Sequence, residues 1–374
     1  MVSSGAHVQV AMTEAAAQFV TPLTLQALSR RPVATDLLSA SEDASIGHIR
    51  IADEADVVLV APATADLIAR LAQGMADDVV TAALLVTRAP IVVAPSMNSN
   101  MLDHPAVRAN LERLRGFGYR IVDPDSGELA CGYEGPGRLP GADELVAEIA
   151  MALSKQDLVG LRVLISAGPT REPIDPVRFV SNRSSGRMGY SLAETARRRG
   201  AEVVLVSGPC ALTPPRGCEV VRVETAAEMN DAMRSRVTWS DAVVMVAAVA
   251  DYRPVRVAER KIKKGEARVE LELEQTDDVL AGLAAARGRR VIVGFAAETE
   301  DVVSHARAKL ARKNLDLIVA NDVTKAGAGF DGATNSATLI DRDGTETETG
   351  LIGKEELADL ILDRVVALRR HEAA

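Results

Sequence analysis

A chain of 374 residues is long enough for two domains with full cores. A formal charge of -9, a pI near 5.3 and an aromatic content of 3% exclude a general nucleic-acid or membrane-surface binder and leave no stacking platforms for single strands. The three cysteines Cys131, Cys210 and Cys218 are odd in number and lack metal-ligand spacing, which excludes a disulfide scaffold; with no signal peptide and no apolar run of membrane-spanning length, a cytoplasmic location is expected.

In chain order, residues 7–12 alternate as a short strand, and Thr13 is placed to cap a helix over 14–20. Thr21-Pro22 starts a second helix. The aliphatic run 57–60 reads as a parallel strand buried on both faces, ending in Ala61-Pro62-Ala63-Thr64; residues 65–73 then read as a helix closed by Gly74. Residues 91–94 repeat the pattern and end in Pro95-Ser96-Met97-Asn98, and a fourth strand covers 119–122. Alternating strands and helices imply a doubly wound parallel sheet, whose ligands sit at the C-terminal strand ends. Those ends, at Thr13, 61–64 and 95–101, are small or polar, as a flat cofactor requires. A helix over 142–153 and a polar connector at 154–157 place a domain boundary at 157/158.

The second half opens with an apolar run at 162–165 that flows into a loop containing Pro169, Pro173 and Pro176. The loop delivers Ser184, Ser185, Gly186 and Gly189 to the start of a helix. Such a turn leaves backbone N–H groups aimed outward at the positive end of the helix dipole, which suits a phosphate. Small residues that merely cap a helix and pack it on a sheet look the same; Arg171, Arg178, Asn182, Arg183 and Arg187 in the same stretch favour the ligand. Strands at 202–206, 219–223, 242–248, 291–295 and 316–320 alternate with helices at 185–199, 226–236, about 300–313 and from Lys354, again a doubly wound α/β pattern. Asp251 follows a buried strand end, where an open sheet meets its ligand or where an aspartate caps a turn. The cluster Arg260-Lys261-Ile262-Lys263-Lys264 is either the charged edge of a hairpin continued by the alternating 269–274 or a seat for a triphosphate. Lys309 and Lys313 share one helix face, ordinarily a solvated one.

Four stretches, SIGHIRIADEAD, APATADLIARLAQGMADD, APSMNSNM and ACGYEGPGR, together resemble the flavin-dependent cysteine decarboxylases. The likeness is to the phosphopantothenoylcysteine decarboxylase half of the bifunctional proteins of coenzyme A biosynthesis, and residues 158–374 resemble their phosphopantothenate-cysteine ligase half. The resemblance implies two Rossmann-like domains, the first flavodoxin-like over 1–157. It assigns FMN contacts to Thr13, Ala61, Ala63 and Thr64, the active-site histidine to His48, the substrate carboxylate to Asn98 and a late proton to the lid residue Cys131. FMN serves there as the electron sink that a cysteine carboxylate lacks. In the second half it implies CTP contacts at Gly168, Ser184, Ser185, Gly186, Ala247, Asp251, Lys261, Asp277, Asp278, Phe295, Lys309 and Lys313, with Asn321-Asp322 closing the site. Lys261 and Asn182 are the implied catalytic pair, Lys261 at the nucleotide and Asn182 on the acyl-cytidylate that 4'-phosphopantothenate forms before L-cysteine displaces CMP, with Mg2+ and lysines offsetting phosphate charge. No metal ligands are assigned. Homo-oligomers are also implied, with trimeric decarboxylase and dimeric ligase contacts, and neither nucleic acid nor membrane as partner.

Two departures bear on these expectations. The family carries a further strand and a Gly-rich, phosphate-cradling turn ahead of the equivalent of 6–12, so a truncated or misassigned start, and with it a ligase-only chain, is the alternative expectation. The family usually has proline where Asp277 stands, which leaves the strictness of the CTP preference open. A nicotinamide-dependent oxidoreductase would need GxGxxG directly after a strand with an acidic residue beyond it, and neither half has it. A non-catalytic homologue would have no use for His48, Asn98, Cys131, Asn182 and Lys261 together.

Overall fold

The computed structural model describes residues 1–37, 47–128, 132, 134–263, 270–298, 300–322, 329 and 332–373. The chain divides into two compact units, Met1–Ser154 and Lys155–Ala374.

In the first unit, α1 (Glu14–Phe19) begins where Thr13 Oγ1 accepts the Ala16 N–H at 3.1 Å, and α2 (Pro22–Ser29) begins on a proline whose missing N–H is not needed there. The strand expected over 7–12 does not form. Among the described residues Ala11 makes only an isolated parallel bridge to Ala34, too short a pairing to build a ladder. After α3 (Gly47–Asp53) come β1 (Val58–Ala63), α4 (Ala65–Gln73), α5 (Val79–Val86), β2 (Ile91–Pro95), α6 (Ser99–Asp103), α7 (Pro105–Gly116) and β3 (Arg120–Ile121). The three strands form a parallel sheet in the order β1-β2-β3, and all five residues of β2 are buried, as its continuous apolar run requires. Ile68, Leu71, Leu111 and Leu114 of α4 and α7 pack on one face with Val60 and Val93; Val92, Ala94 and Val122 form the other cluster with Leu145. An antiparallel ribbon of β4 (Asp125–Glu128) and β5 (Glu134–Arg138), absent from the sequence reading, precedes α8 (Ala142–Leu153).

The second unit starts with β6 (Arg162–Ala167), a ribbon of β7 (Arg171–Pro173) and β8 (Phe179–Ser181), α9 (Arg187–Arg198), β9 (Glu202–Ser207), β10 (Glu219–Arg222), α10 (Ala226–Arg236) and β11 (Ala242–Met245). It continues with a ribbon of β12 (Tyr252–Pro254) and β13 (Leu273–Gln275), then α11 (Val279–Ala285), β14 (Val291–Glu298), α12 (Val302–Arg312) and β15 (Leu317–Asp322). The hairpin of β16 (Thr334–Asp341) and β17 (Glu346–Gly353) leads into α13 (Lys354–Ala373). One eight-stranded sheet runs β10-β9-β6-β11-β14-β15-β16-β17, parallel through β15 and antiparallel over the last two pairings. Its six parallel strands follow the order 3-2-1-4-5-6 of a doubly wound nucleotide-binding sheet, with the reversal between β6 and β11.

Strand alternation decides the layers. Val163, Ile165, Val244 and Val293 face α9 and α13, while Leu164, Val243 and Ile292 face α10, α11 and α12. Gly189 lets α9 close on β6: a Cβ there would lie 2.5 Å from the Ala167 Cβ and 2.9 Å from the Ser166 carbonyl oxygen. This glycine therefore serves helix-to-strand packing, and it also lines a cavity at the sheet's edge.

Candidate active sites

In the second unit, the strand reversal opens a cavity of about 560 Å³ along the C-terminal edge of the sheet. Gly168 ends β6 in the left-handed region (φ 76°), and Gly186 (φ 79°) starts α9 with no side chain capping its first N–H groups. Between them Asn182 Oδ1 accepts the Ser184 N–H at 2.9 Å, and Ser184 Oγ accepts the Gly186 N–H at 3.3 Å. That turn occupies the Asn182 oxygen and leaves its amide N–H groups as donors at the cavity, with no partner for them among the described residues.

Ser185, Ala247 and Asp251 line the same cavity, as do Asp277 and Asp278 ahead of α11, Phe295 on β14, and Lys309 and Lys313 of α12. Lys309 Nζ donates to the Phe295 carbonyl at 2.9 Å and Lys313 Nζ to Asp278 Oδ1 at 2.9 Å, so both ammonium groups are held at the rim rather than solvated at random. Burial pushes the Asp278 carboxyl up, but the Lys313 hydrogen bond, the Ala281 N–H and the charges of Lys313 and Lys309 outweigh it and hold it below its ordinary value.

Lys261 is not among the lining residues. It is exposed on a segment tied elsewhere: the Ile262 N–H donates to Asp175 Oδ2 at 3.1 Å, and the Ala258 N–H to the Ile174 carbonyl at 3.0 Å. Asp175, buried and bonded first by Arg178 and then by the Val177, Ile262 and Arg178 N–H groups, is held well below the usual carboxylate range. The structure thus gathers the other expected contacts and leaves Lys261 beside them. It also adds Asn335 and Lys354, which the sequence reading missed, and brings in Asn321 from the end of β15. Asn335 had a signal: it is a polar residue on the buried face of a strand whose next inward residues are Ala337 and Leu339.

In the first unit, Ala63 pairs in register with Pro95, and the Ser96 N–H donates to the Ala63 carbonyl at 3.0 Å, which brings 61–64 and 95–98 to one sheet end. The Ala63 methyl packs in the core, leaving its backbone for any contact, while Thr64 Oγ1 caps α4 by accepting the Leu67 N–H at 3.2 Å. Asn98 caps α6, its Oδ1 accepting the Asn100 N–H at 2.9 Å. Thr13 caps α1, and among the described residues no sheet strand precedes it. His48 stands in the first turn of α3 with Nδ1 buried and without a hydrogen-bond partner among the described residues, a costly arrangement that a bound polar group would relieve. Cys131 lies outside the described residues.

Among the described residues no helix is long and apolar enough to cross a membrane, and no three His, Cys, Asp or Glu side chains are grouped to hold a metal ion.

Comparison with known proteins covers both units. The flavoprotein family matches residues 1–154, and the family described as DNA/pantothenate metabolism flavoprotein C-terminal domain matches 158–368. The coenzyme A biosynthesis bifunctional protein CoaBC of Bacillus subtilis (strain 168) is 47% identical over 374 residues, covering 99% of this chain and 92% of that protein. Its counterpart in Escherichia coli (strain K12) is 47% identical over 369 residues, covering 97% of this chain and 90% of that one. Among solved structures, the C-terminal domain of a coenzyme A biosynthesis bifunctional protein CoaBC aligns with a TM-score of 0.51 at 42% identity, over 58% of this chain and 100% of its own. The DNA/pantothenate metabolism flavoprotein from Streptococcus pneumoniae aligns with a TM-score of 0.50 at 25% identity, over 56% and 99%.

Proposed function

From the premise that this chain belongs to the family of coenzyme A biosynthesis bifunctional proteins, enzymes that join a ligase to an FMN-dependent decarboxylase, we propose how its two units divide the work. The second unit activates 4'-phosphopantothenate with CTP and couples it to L-cysteine. The first removes CO2 from the resulting 4'-phosphopantothenoylcysteine to give 4'-phosphopantetheine.

The observation that carries the ligase reading is the cavity at the strand reversal, with α9 N–H groups on one side and Lys309 and Lys313 on the other. A carboxylate is a poor electrophile, so its oxygen has first to become a leaving group. Attack of that oxygen on the α-phosphorus of CTP forms an acyl-cytidylate and releases pyrophosphate. The cysteine amine then attacks the carbonyl carbon, and CMP leaves with the C–O bonding electrons. The uncapped N–H groups after Gly186 and the two lysines offset phosphate charge as it shifts. The Asn182 amide donates to the acyl carbonyl as its oxygen becomes negative. Bound with the nucleotide, magnesium would offset phosphate charge alongside Lys309 and Lys313. The family likeness assigns Lys261 to the phosphates, and its exposed position outside the cavity lining leaves that role to the test below.

In the first unit, the chemistry of the residues fits FMN at one point in particular, the unpartnered His48 nitrogen, with Thr64 and the backbone of 61–63 at the sheet end. When bound, FMN supplies a two-electron sink for the carbon bearing sulfur. Asn98 holds the carboxylate that leaves as CO2, His48 accepts or holds a proton beside it, and Cys131 returns a proton to the product.

Homo-oligomers fit the apolar surface. Phe19, Leu23 and Leu28 of α1 and α2 are 91, 72 and 66% exposed, and the ribbons of the second unit expose Val177, Phe179, Tyr252 and Leu273. We assign trimeric contacts to the first unit, dimeric ones to the second, and a cytoplasmic setting to the whole.

Incubating the full chain with CTP, cysteine and 4'-phosphopantothenate tests the reading. Release of both pyrophosphate and CO2 is expected; pyrophosphate alone removes the decarboxylase, and absence of pyrophosphate removes the ligase.

A further inference from the structure

We propose that Ser166 and Thr170, two buried hydroxyl residues at the end of β6, are positioning residues of the ligase: they hold the segment that carries Ala247 and Asp251 against the nucleotide. The inference rests on the ligase reading above. Val163, Leu164, Ile165 and Ala167 make β6 an apolar buried strand, and Ser166 interrupts the run while itself wholly buried. An apolar side chain would suit a central strand better, so the hydroxyl calls for a reason. Its partners supply one. Ser166 Oγ accepts the Val246 N–H and the Ala247 N–H, each at 3.0 Å, and donates to Met245 Sδ at 3.1 Å.

These bonds stand where the sheet stops. β6 and β11 pair in register as far as Ser166 opposite Met245, and past that point only an isolated bridge from Pro169 to Ala248 continues the pairing. Other acceptors take over: the Ala248 N–H donates to the Gly168 carbonyl at 3.0 Å, and the Ala250 N–H to Thr170 Oγ1 at 3.0 Å. Four of the N–H groups in residues 246–250 are thus anchored on residues 166–170. Thr170, also wholly buried, reaches further, since its carbonyl accepts Ser181 Oγ at 2.7 Å, next to Asn182.

Val246, Ala247, Val249 and Asp251 line the cavity, and Ser166 and Thr170 do not. The two hydroxyls therefore act on a ligand only through the backbone they hold. Removing either acceptor strands N–H groups where little water reaches them, and the segment has to shift to satisfy them. Such a shift weakens whatever rests on Ala247 and Asp251, the positions that the family likeness gives to CTP. The Thr170 carbonyl, and with it the tie to Ser181, survives a change of side chain.

Steady-state pyrophosphate release by the full chain, with CTP and L-cysteine varied in turn, tests the proposal. Thr170→Val keeps the shape of the side chain and removes the acceptor, whereas Thr170→Ser keeps the acceptor. Thr170→Val is expected to raise the KM for CTP about tenfold, the scale of one orphaned donor, and to leave that for cysteine within about threefold. Thr170→Ser should return the CTP value to within about threefold of the wild type. Ser166→Cys, which fills the same space with a poor acceptor, should behave like Thr170→Val. A lowered melting midpoint with an unchanged KM for CTP makes the hydroxyls structural and overturns the proposal. Equal rises for CTP and cysteine, or a Thr170→Ser variant as impaired as Thr170→Val, also overturn it. If Thr170→Val does not fold, Ser166→Cys is read by the same criteria. A wild-type chain that releases no pyrophosphate removes the ligase reading, and this inference with it.

Discussion

The two units solve the same problem, placing polar groups at the C-terminal edge of a parallel sheet, to different degrees. In the second, helices cover both faces of eight strands, and the C-terminal ends of β6, β11, β14 and β15 converge on one cavity. In the first, among the described residues, three strands carry the edge, α1 and α2 bury none of their residues, and the His48 nitrogen is left without a partner. The difference teaches that a crossover sheet gathers a site by topology alone, whereas groups on peripheral helices depend on what binds between or against them. Chemistry in the second unit should then fail one residue at a time, and in the first it should be coupled to flavin binding.

The largest expected effect sharpens the first half of that statement. Asn182→Asp keeps the acceptor that forms the turn with Ser184 but removes the amide donor. Pyrophosphate release and acyl-cytidylate build-up should continue while amide formation falls about 10³-fold, the scale of one lost oxyanion donor. Quenched-flow detection of the cytidylate checks this, and a normal amide yield would sink the role given to Asn182. Lys261→Gln offers a companion test, since undiminished pyrophosphate release would leave that residue outside the reaction.

Next in size, His48→Gln should slow CO2 release from supplied 4'-phosphopantothenoylcysteine about 10²-fold and leave pyrophosphate release unchanged. Flavin content, read from the visible spectrum, should drop as well if the buried nitrogen faces the bound group. Slow decarboxylation with full flavin would confine His48 to proton handling.

How much of this was legible in the sequence follows from the same contrast. The β6 to α9 stretch was readable because a strand, two serines and a glycine at a helix start have few other uses, and its arginine-rich surroundings pointed to an anion. Lys309 and Lys313 were visible as a face, but only the fold shows them held by Phe295 and Asp278. Residues 7–12 misled, because alternation records a half-buried segment and not whether a neighbour exists to pair with it. The β16–β17 hairpin went unread since Thr347, Glu348 and Thr349 look like a polar loop; its edge position tolerates that composition. With the hairpin went Asn335 and Lys354.

A smaller effect probes the nucleotide rim. Lys313→Met leaves Asp278 uncompensated beside the phosphates and should raise the KM for CTP about tenfold with little change in that for cysteine. Equal rises for both substrates would mean that the pair holds α11 and α12 rather than the nucleotide.

Of similar size is a pH effect confined to the second unit. Arg199, 1% exposed, is bonded by Asp157 at 2.7 Å and Asp363 at 2.6 Å, and its hydrogen bond to Asp157 holds that carboxyl below its ordinary value. A carboxyl depressed in the folded state contributes its full stability above the unfolded value of about 3.9 and loses it as pH falls through the folded value. Asp157→Asn should therefore cost about 1.5 kcal/mol at neutral pH and flatten this part of the acid limb, as read from urea midpoints. An unchanged acid limb would assign it to other carboxylates.

The smallest effect is the most direct comparison, because each unit has a threonine doing the same local work. Thr64 caps α4 and Thr225 caps α10, each hydroxyl oxygen accepting a backbone N–H at 3.2 Å. Replacing either by alanine should cost about 1 kcal/mol of stability. Thr225→Ala should stop there, with both activities intact. Thr64→Ala should in addition loosen flavin, measured as flavin fluorescence released on dilution, because the same residue ends the strand edge assigned to the cofactor. If the two variants behave alike, Thr64 is a cap and nothing more, and the flavin contacts of the first unit rest on the backbone of 61–63 and on His48.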